Sequence, residues 1–419
     1  MTGFFKWLYP GMGVKRWIFL LIVGVIIASS IGLVAVRFLS HESILLASFV
    51  TALLIFGVFL IVMAVRNILR FFVRSLLPVQ DNDLVDIIFK KRQDRFLERG
   101  PRVVVIGGGT GLSTLLQGVK KFTKNLTAIV TVTDTGGSSG RLRDELDVLP
   151  PGDIRNCLVA LADAQPLMRD LFQYRFEDGS GLKGHSFGNL FITALSKITG
   201  DFERAIKESS KVLAIRGNVI PSTLEKVTLV AQLENGVIVE GETNITGHRK
   251  PIKKLELKPK FCRASEEALE AIKQADMIVL GPGSLYTSIL PNLLIGDICK
   301  RIVESEALKI YVCNVMTQPG ETNMFTAADH VDMLIRHTDP RLINVCVVNN
   351  SDIPDELIAK YALEQAEPVQ LDIEKIKERG YQVVQANLIH TEDTVRHDPE
   401  QLARVIFETF IRYKRANQG

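Results

Sequence analysis

The chain has 419 residues, 47% of them hydrophobic, enough for a membrane segment plus one large domain or two modest ones. Its formal net charge of +3 hides an asymmetry: residues 1–99 hold 12 Lys/Arg against 6 Asp/Glu, and the remainder holds 38 against 41, which argues against a nucleic-acid partner because such a footprint needs a basic face on the folded part. The five cysteines (Cys157, Cys262, Cys299, Cys313, Cys346) are odd in number and form no C-x-x-C pair, which argues against a disulfide framework or zinc site and fits a reducing compartment.

Residues 17–36 and 44–65 carry no charge. At about 1.5 Å of rise per residue each can cross a hydrocarbon core of about 30 Å. A cleaved signal peptide is the alternative for the first run, but its length and the second run behind it speak against that. The short connection 37–43 makes the two a hairpin. Lys6, Lys15 and Arg16 flank one end and Arg66, Arg70 and Arg74 the other, while the connection holds only Arg37. The positive-inside rule then places both ends, and the domain that follows, in the cytoplasm. Arg66, Arg70 and Arg74 share a helix face that suits anionic headgroups, although topology charge explains most of the pattern. Pro78 ends this helix, Asp81 or Asp83 caps a linker helix to about residue 98, and Gly100-Pro101 closes it. The expected organisation is a membrane hairpin over 1–76, a linker over 77–100 and a separate folded domain over 101–419.

From Arg102 onward, apolar runs alternate with helical patterns. Three runs empty into glycine-rich loops and then helices: 102–106 before Gly107, Gly108, Gly109, Thr110 and Gly111; 128–133 before Asp134, Thr135, Gly136, Gly137, Ser138, Ser139 and Gly140; and 276–280 before Gly281, Pro282, Gly283 and Ser284. Buried parallel strands read as such runs. Loops at their carboxyl ends are where open α/β sheets bind ligands, and helix starts supply free N–H groups for an anion. Three in one chain point to a phosphate-rich ligand.

Further helices are expected at 112–122, 154–164 and 190–198, and strands at 126–133, 277–280, 310–314 and 344–348. A strand-like run follows at 381–389. Residues 228–245 differ: the runs 229–233 and 237–240 flank Asn235-Gly236, the strongest two-residue turn signal, and predict a β-hairpin insertion. The fold class is α/β with a mainly parallel sheet.

The first loop is a poor dinucleotide fingerprint, because Leu112 stands where the third glycine of G-x-G-x-x-G belongs. Asp134 ends the second strand where an acidic residue commonly meets a ribose; capping a helix is the equal alternative. Arg141 and Arg143 after the second loop suit a pyrophosphate, with pairing to Asp144 and Glu145 as the structural alternative. Asp153, Arg155 and Asn156 follow the turn Pro150-Pro151-Gly152. Asp153 caps the next helix or, with Asp134, holds Mg²⁺. His185 and Asn189 flank a glycine at another helix start. No Ser/His/Asp set assembles from spacing, so no catalytic residues are assigned.

The motifs IGGGTGLS, DTGGSSGRLR, PPGDIRN, GHSFGN, GPGSLYTSILPNLL, CNVMTQPGET and RHD resemble those of the bacterial gluconeogenesis factor family (YvcK), which belongs with the CofD-like 2-phospho-lactate transferases. The resemblance spans about residues 102–410, with the amino-terminal hairpin outside it. It implies a Rossmann-like fold, binding of UDP-N-acetylglucosamine without a required cofactor, and regulation of carbon flow into cell-wall precursors and cell shape. The glucosamine-6-phosphate-forming synthase is the implied protein partner, and a homo-oligomer is expected. Carried over by motif are the three glycine loops, Asn189, Tyr361 and Arg396; the last two match positions implicated in holding the UDP-sugar, where a planar aromatic suits a uracil ring and a guanidinium a diphosphate. The transferase branch, which is metal-dependent and acts on a deazaflavin, is the alternative. Its paired aspartates meet Asp134-Thr135 here, which weakens a metal site. An NAD-dependent oxidoreductase fits less well, given the imperfect first loop.

Overall fold

The computed structural model describes residues 14–38, 44–76, 96–391 and 394–417. The chain divides into two compact units, Met1–Gln93 and Asp94–Gly419.

In the first unit, helices Val14–Phe38 and Ile44–Leu76 pack against each other in antiparallel fashion. Their crossing lies at Gly24 and Gly57. A Cβ on Gly24 would stand 2.9 Å from Ile61 Cγ1, and one on Gly57 3.3 Å from the Ala28 nitrogen. Glycine is what lets the two backbones approach this closely. Ala64 is fully buried beside the crossing, while Phe19, Phe49, Ile55 and Phe59 face outward. Residues 48–69 are long and apolar enough to cross a membrane; within the first helix, residues 16–30 form a shorter apolar stretch. The hairpin connection and the linker caps at Asp81 and Asp83 lie outside the described residues.

In the second unit a seven-stranded parallel sheet carries the core. Its strands are β1 (Val103–Gly107), β2 (Leu126–Val130), β3 (Asn218–Pro221), β7 (Met277–Leu280), β8 (Leu308–Val312), β9 (Val345–Asn349) and β10 (Gln382–Ala386), in the order β10-β9-β8-β7-β1-β2-β3. β1, β7 and β8 are buried along their whole length, as strands covered by helices on both faces must be. The chain starts in the middle of the sheet, builds β2 and β3 to one side, then returns to lay β7 through β10 on the other. The reversal falls between β1 and β7, whose residues pair from Val103↔Met277 to Ile106↔Leu280. Connections leave that point in opposite directions and open a crevice at the carboxyl edge, where such sheets bind ligands.

Between β3 and β7 the chain inserts a three-stranded antiparallel sheet, β4 (Thr228–Leu233), β5 (Ile238–Glu240) and β6 (Ile252–Lys258), in the order β5-β4-β6. The expected hairpin is present, but the insertion is larger. Residues 242–248 form a helix and β6 adds a third strand. The run Ile-Lys-Lys-Leu-Glu-Leu-Lys shows no clean apolar alternation, because only Ile252, Leu255 and Leu257 turn inward and the lysines stay exposed. Near the carboxyl terminus β11 (Ile389–Thr391) and β12 (Val395–His397) form a second hairpin, which splits the expected run 381–389. The helices Gly109–Val119, Gly152–Leu161 and Phe187–Thr199 each start two or three residues earlier than the apolar pattern indicates, because their glycine-rich first turns have no periodicity.

Candidate ligand-binding site

A cavity of about 530 Å³ occupies the crevice between β1 and β7. The first and third glycine loops form its floor. A Cβ on Gly108 would stand 2.5 Å from Asp153 Oδ2, and one on Gly111 would stand 2.6 Å from the Pro282 carbonyl oxygen. Only glycine lets the two loops lie this close together. Asn292, fully buried, ties them further: its Nδ2 donates to the Gly107 carbonyl at 3.1 Å and to the Ser288 carbonyl at 2.8 Å. Gly283 N donates to Asn314 Oδ1 at 3.2 Å.

The walls bring together residues far apart in the chain. Tyr361, on the helix Asp355–Leu363, accepts a hydrogen bond from Val395 N through its hydroxyl at 3.1 Å. This fixes the ring beside β12, where Arg396 and His397 also line the cavity. Arg396 is exposed and makes no ion pair among the described residues; Glu392, its expected structural partner, lies outside them. Glu242 and Thr246, from the insertion's helix, line the same cavity.

Three acids back this cavity, Glu321 buried and Asp153 and Glu242 half-buried. Glu321 is 5% exposed and holds Ser284 Oγ and, at 3.1 Å, Thr287 Oγ1. Burial raises its pKa. Burial, and then the negative charge of Asp134, push Asp153 up to about 6, against an amide hydrogen bond from Gly109 that favours the charged form. Burial, then Asp134 and Asp153, push Glu242 upward.

The second glycine loop does not line the cavity. Asp134 Oδ1 accepts from Gly136 N at 2.8 Å, a local turn bond, and the following helix takes Gly136 as its cap. Ser138 Oγ lies 2.9 Å from His185 Nδ1 and accepts from Asn189 Nδ2 at 3.0 Å. Those bonds bury Ser138, His185 and Asn189 and join the loop to the helix Phe187–Thr199. Asn189 Oδ1 is left buried without a partner. Ser139 is buried against Gly152, and Arg155 Nη2 donates to Asn156 Oδ1 at 2.7 Å. Neither arginine pairs with Asp144 or Glu145. Arg141 donates to the Lys183 carbonyl at 2.8 Å, and Arg143 to Thr228 Oγ1 at 2.8 Å and the Val227 carbonyl at 2.9 Å, so Arg143 anchors the insertion. Asp153 does not cap its helix, which begins after Pro151 without a side-chain bond. Loop two reaches the cavity through its neighbours: Thr135 N donates to Glu242 Oε2 at 3.4 Å, and Thr243 N to Thr135 Oγ1 at 3.2 Å.

Glu242, Thr246, Asn314, Glu321 and His397 are lining residues that the motif reading leaves unassigned. Glu321 and Asn314 stand inside CNVMTQPGET and His397 inside RHD, so the motifs already marked them. Nothing in the sequence marks Glu242. Among the described residues, no three His, Cys, Asp or Glu side chains converge as a metal cage.

Glycine loops at the switch point of a parallel sheet, one wall of Tyr361 and Arg396, and acids behind define a CofD-type α/β protein. The family profile described as "2-phospho-L-lactate transferase CofD" matches residues 103–389. The chain belongs to this family and, within it, to the gluconeogenesis factors. The gluconeogenesis factor of Bacillus subtilis is 49% identical over 309 residues, which cover 74% of this chain and 98% of that protein. A Nostoc sp. protein provisionally given the same name is 46% identical over 429 residues, covering 98% of this chain and 93% of its own length. Similarity therefore extends through the amino-terminal region in that relative, beyond the span that the motifs mark. A crystal structure of a Bacillus halodurans protein superposes with a TM-score of 0.73 at 49% identity, covering 74% of this chain and all of that one.

Proposed function

We propose that the cavity binds a UDP-sugar, UDP-N-acetylglucosamine, and that the protein uses this binding to regulate carbon flow into cell-wall precursors and cell shape. The observation that carries the reading is the meeting of Tyr361 and Arg396 in one cavity with the glycine backbone of loops one and three. A flat ring and a guanidinium together with an anion-binding floor suit a uracil and a diphosphate. No cofactor is required. Should Mg²⁺ bind, Asp134 and Asp153 are its proposed oxygen donors: the charge of Asp134 acts on Asp153, which stands against Gly108 behind the cavity floor, and Mg²⁺ usually takes one or two carboxylates plus waters. The glucosamine-6-phosphate-forming synthase is the proposed protein partner, and the chain is expected to self-associate. The apolar helices would anchor it as a multi-pass membrane protein with both ends cytoplasmic.

Calorimetry on the full chain in detergent, with UDP-sugars, GTP and NAD⁺ in parallel, tests the reading. UDP-N-acetylglucosamine should bind most tightly. Arg396→Ala should weaken it at least about tenfold, since a desolvated charged hydrogen bond contributes about 1.5–3 kcal/mol and about 1.4 kcal/mol is one decade. Arg396→Lys should rescue little, because an ammonium lacks the bidentate fork. Tighter binding of NAD⁺, or full affinity in Arg396→Ala, refutes it. The Asp134–Asp153 pair and the family's transferase branch sustain a second reading, phospho-lactate transfer to a deazaflavin; formation of that product would establish it.

A further inference from the structure

The ligand cavity is uneven in its hydrogen-bonding character. Glu242 opens the helix Glu242–His248 and lines the cavity together with Thr246, one turn further on and on the same helix face. Its Oε2 accepts from Thr135 N at 3.4 Å, while its Oε1 meets no donor among the described residues. Thr246 directs its only hydroxyl proton at the backbone, 3.1 Å from the Thr243 carbonyl and 3.2 Å from the Glu242 carbonyl, so it has only lone pairs to offer a ligand. The segment before Glu321 lies against this helix: a Cβ on Gly320 would stand 2.7 Å from the Thr246 carbonyl oxygen. Ser284 gives its proton to Glu321. Thr287 Oγ1 gives its own to Glu321 Oε1 at 3.1 Å or to Ser284 Oγ at 2.6 Å. Thr246, Ser284 and Thr287 therefore present the cavity with acceptors and no free hydroxyl proton. Donors suited to an anion come from other elements, namely Arg396 and the first turn of the helix Gly109–Val119.

This unevenness sorts the parts of a ligand. A phosphate oxygen only accepts and carries negative charge, so it is repelled beside Glu242, where the charges of Asp134, Asp153 and Glu321 already act. A sugar hydroxyl or an amide N–H donates without bringing charge, and it finds acceptors there. We propose that Glu242, with Thr246 beside it, selects the sugar of the bound nucleotide sugar by accepting hydrogen bonds from its hydroxyl or amide N–H groups. The diphosphate is thereby turned toward Arg396 and the helix Gly109–Val119. Burial and the neighbouring acids favour a proton on Glu242. A protonated carboxyl both donates and accepts, as a sugar hydroxyl does, so the match holds in either state. The insertion thus has a role at the site, because it carries the selecting side chain. The inference rests on the nucleotide-sugar reading and assigns a specificity-determining residue within that same cavity.

The test is calorimetry on the full chain in detergent with UDP, UDP-glucose and UDP-N-acetylglucosamine, each in EDTA and in Mg²⁺. The wild-type chain should bind at least one sugar nucleotide about tenfold more tightly than UDP. Glu242→Ala should weaken that sugar nucleotide by about tenfold, the effect of losing one strong hydrogen bond. It should leave UDP bound as well as before or slightly better, because a repelling acid is gone. Glu242→Gln keeps an acceptor oxygen and should restore most of the discrimination, whereas Thr246→Val should reduce it by about threefold. Retained UDP binding in each variant reports that the fold and the rest of the cavity are intact. Equal wild-type affinity for UDP and the sugar nucleotides, an equal loss of UDP in Glu242→Ala, or unchanged sugar-nucleotide affinity in that variant would overturn the assignment of Glu242 and leave the cavity reading standing. An effect of Glu242→Ala seen only in Mg²⁺ would overturn it too, by assigning the residue to a cation. Failure of every uridine nucleotide to bind the wild-type chain would refute the cavity reading and this inference with it.

Discussion

Asp153 is a carboxyl group held in place against its own preference for water. Its pKa rises from 3.8 to about 6, chiefly through burial. The folded state therefore binds more protons than the unfolded one between these values, and stability falls as pH rises through that window and stays lower above it. At about 1.36 kcal/mol per pKa unit the charged form forfeits about 3 kcal/mol. Asp153→Asn keeps an oxygen to accept the Gly109 amide and removes the charge. In metal-free buffer it should raise the melting temperature at about pH 7.5 by roughly 3–6 °C, taking roughly 2 °C per kcal/mol for a domain of this size. At about pH 4.5 the difference should shrink to about a third, because Asp153 is then protonated in the folded state but still mostly charged in the unfolded one, and it should vanish only below the unfolded value of 3.8. The same substitution should weaken UDP-sugar binding, the usual trade between stability and a strained site. Differential scanning fluorimetry at the two pH values, in EDTA, measures it. An equal shift at both, or a lower melting temperature at about pH 7.5, would refute the reasoning.

The fragment 96–419 should fold and bind UDP-sugar with the affinity of the full chain, because relatives such as the Bacillus subtilis protein align over 98% of their length without the amino-terminal helices; calorimetry on both forms checks it. Asn292→Ala should destabilise the domain by about 1–3 kcal/mol by leaving the buried Gly107 and Ser288 carbonyls without their side-chain donor. It should also weaken the sugar, because loop one loses its tether; a stability loss with unchanged affinity would mean that Gly111 packing alone sets the loop. Reporter fusions at the amino terminus and after Gln80 should both behave as cytoplasmic, and a fusion within residues 39–43 should report the other side. An outside signal after Gln80 would reject the hairpin topology.

Much of this architecture is legible in the chain because parallel strands are apolar throughout and their loops are rich in glycine. Ile106, Thr133 and Leu280 end runs that the sequence displays openly, and β1, β2 and β7 lie where those runs stand, with β2 stopping at Val130, three residues before its run does. β3 is hidden because Asn218–Pro221 is four residues long and ends on a proline, which an edge strand tolerates. β6 is hidden because its exposed side is lysine-rich. The site is less legible than the fold, and strand order is the reason. Three similar loops suggest three equal contributions, yet only two flank the reversal between β1 and β7. Loop two follows β2, one strand further out, so its hydroxyls turn to His185 and Asn189 instead of the cavity. Local pattern cannot reveal which strands become neighbours, since β1 and β7 are joined by the whole β2–β6 excursion. The same excursion explains Glu242: it reaches the cavity only because Arg143 and Thr135 dock the insertion over loop two. The second glycine loop thus joins the insertion to the framework, and its contribution to ligand binding would pass through Glu242 and Asp153.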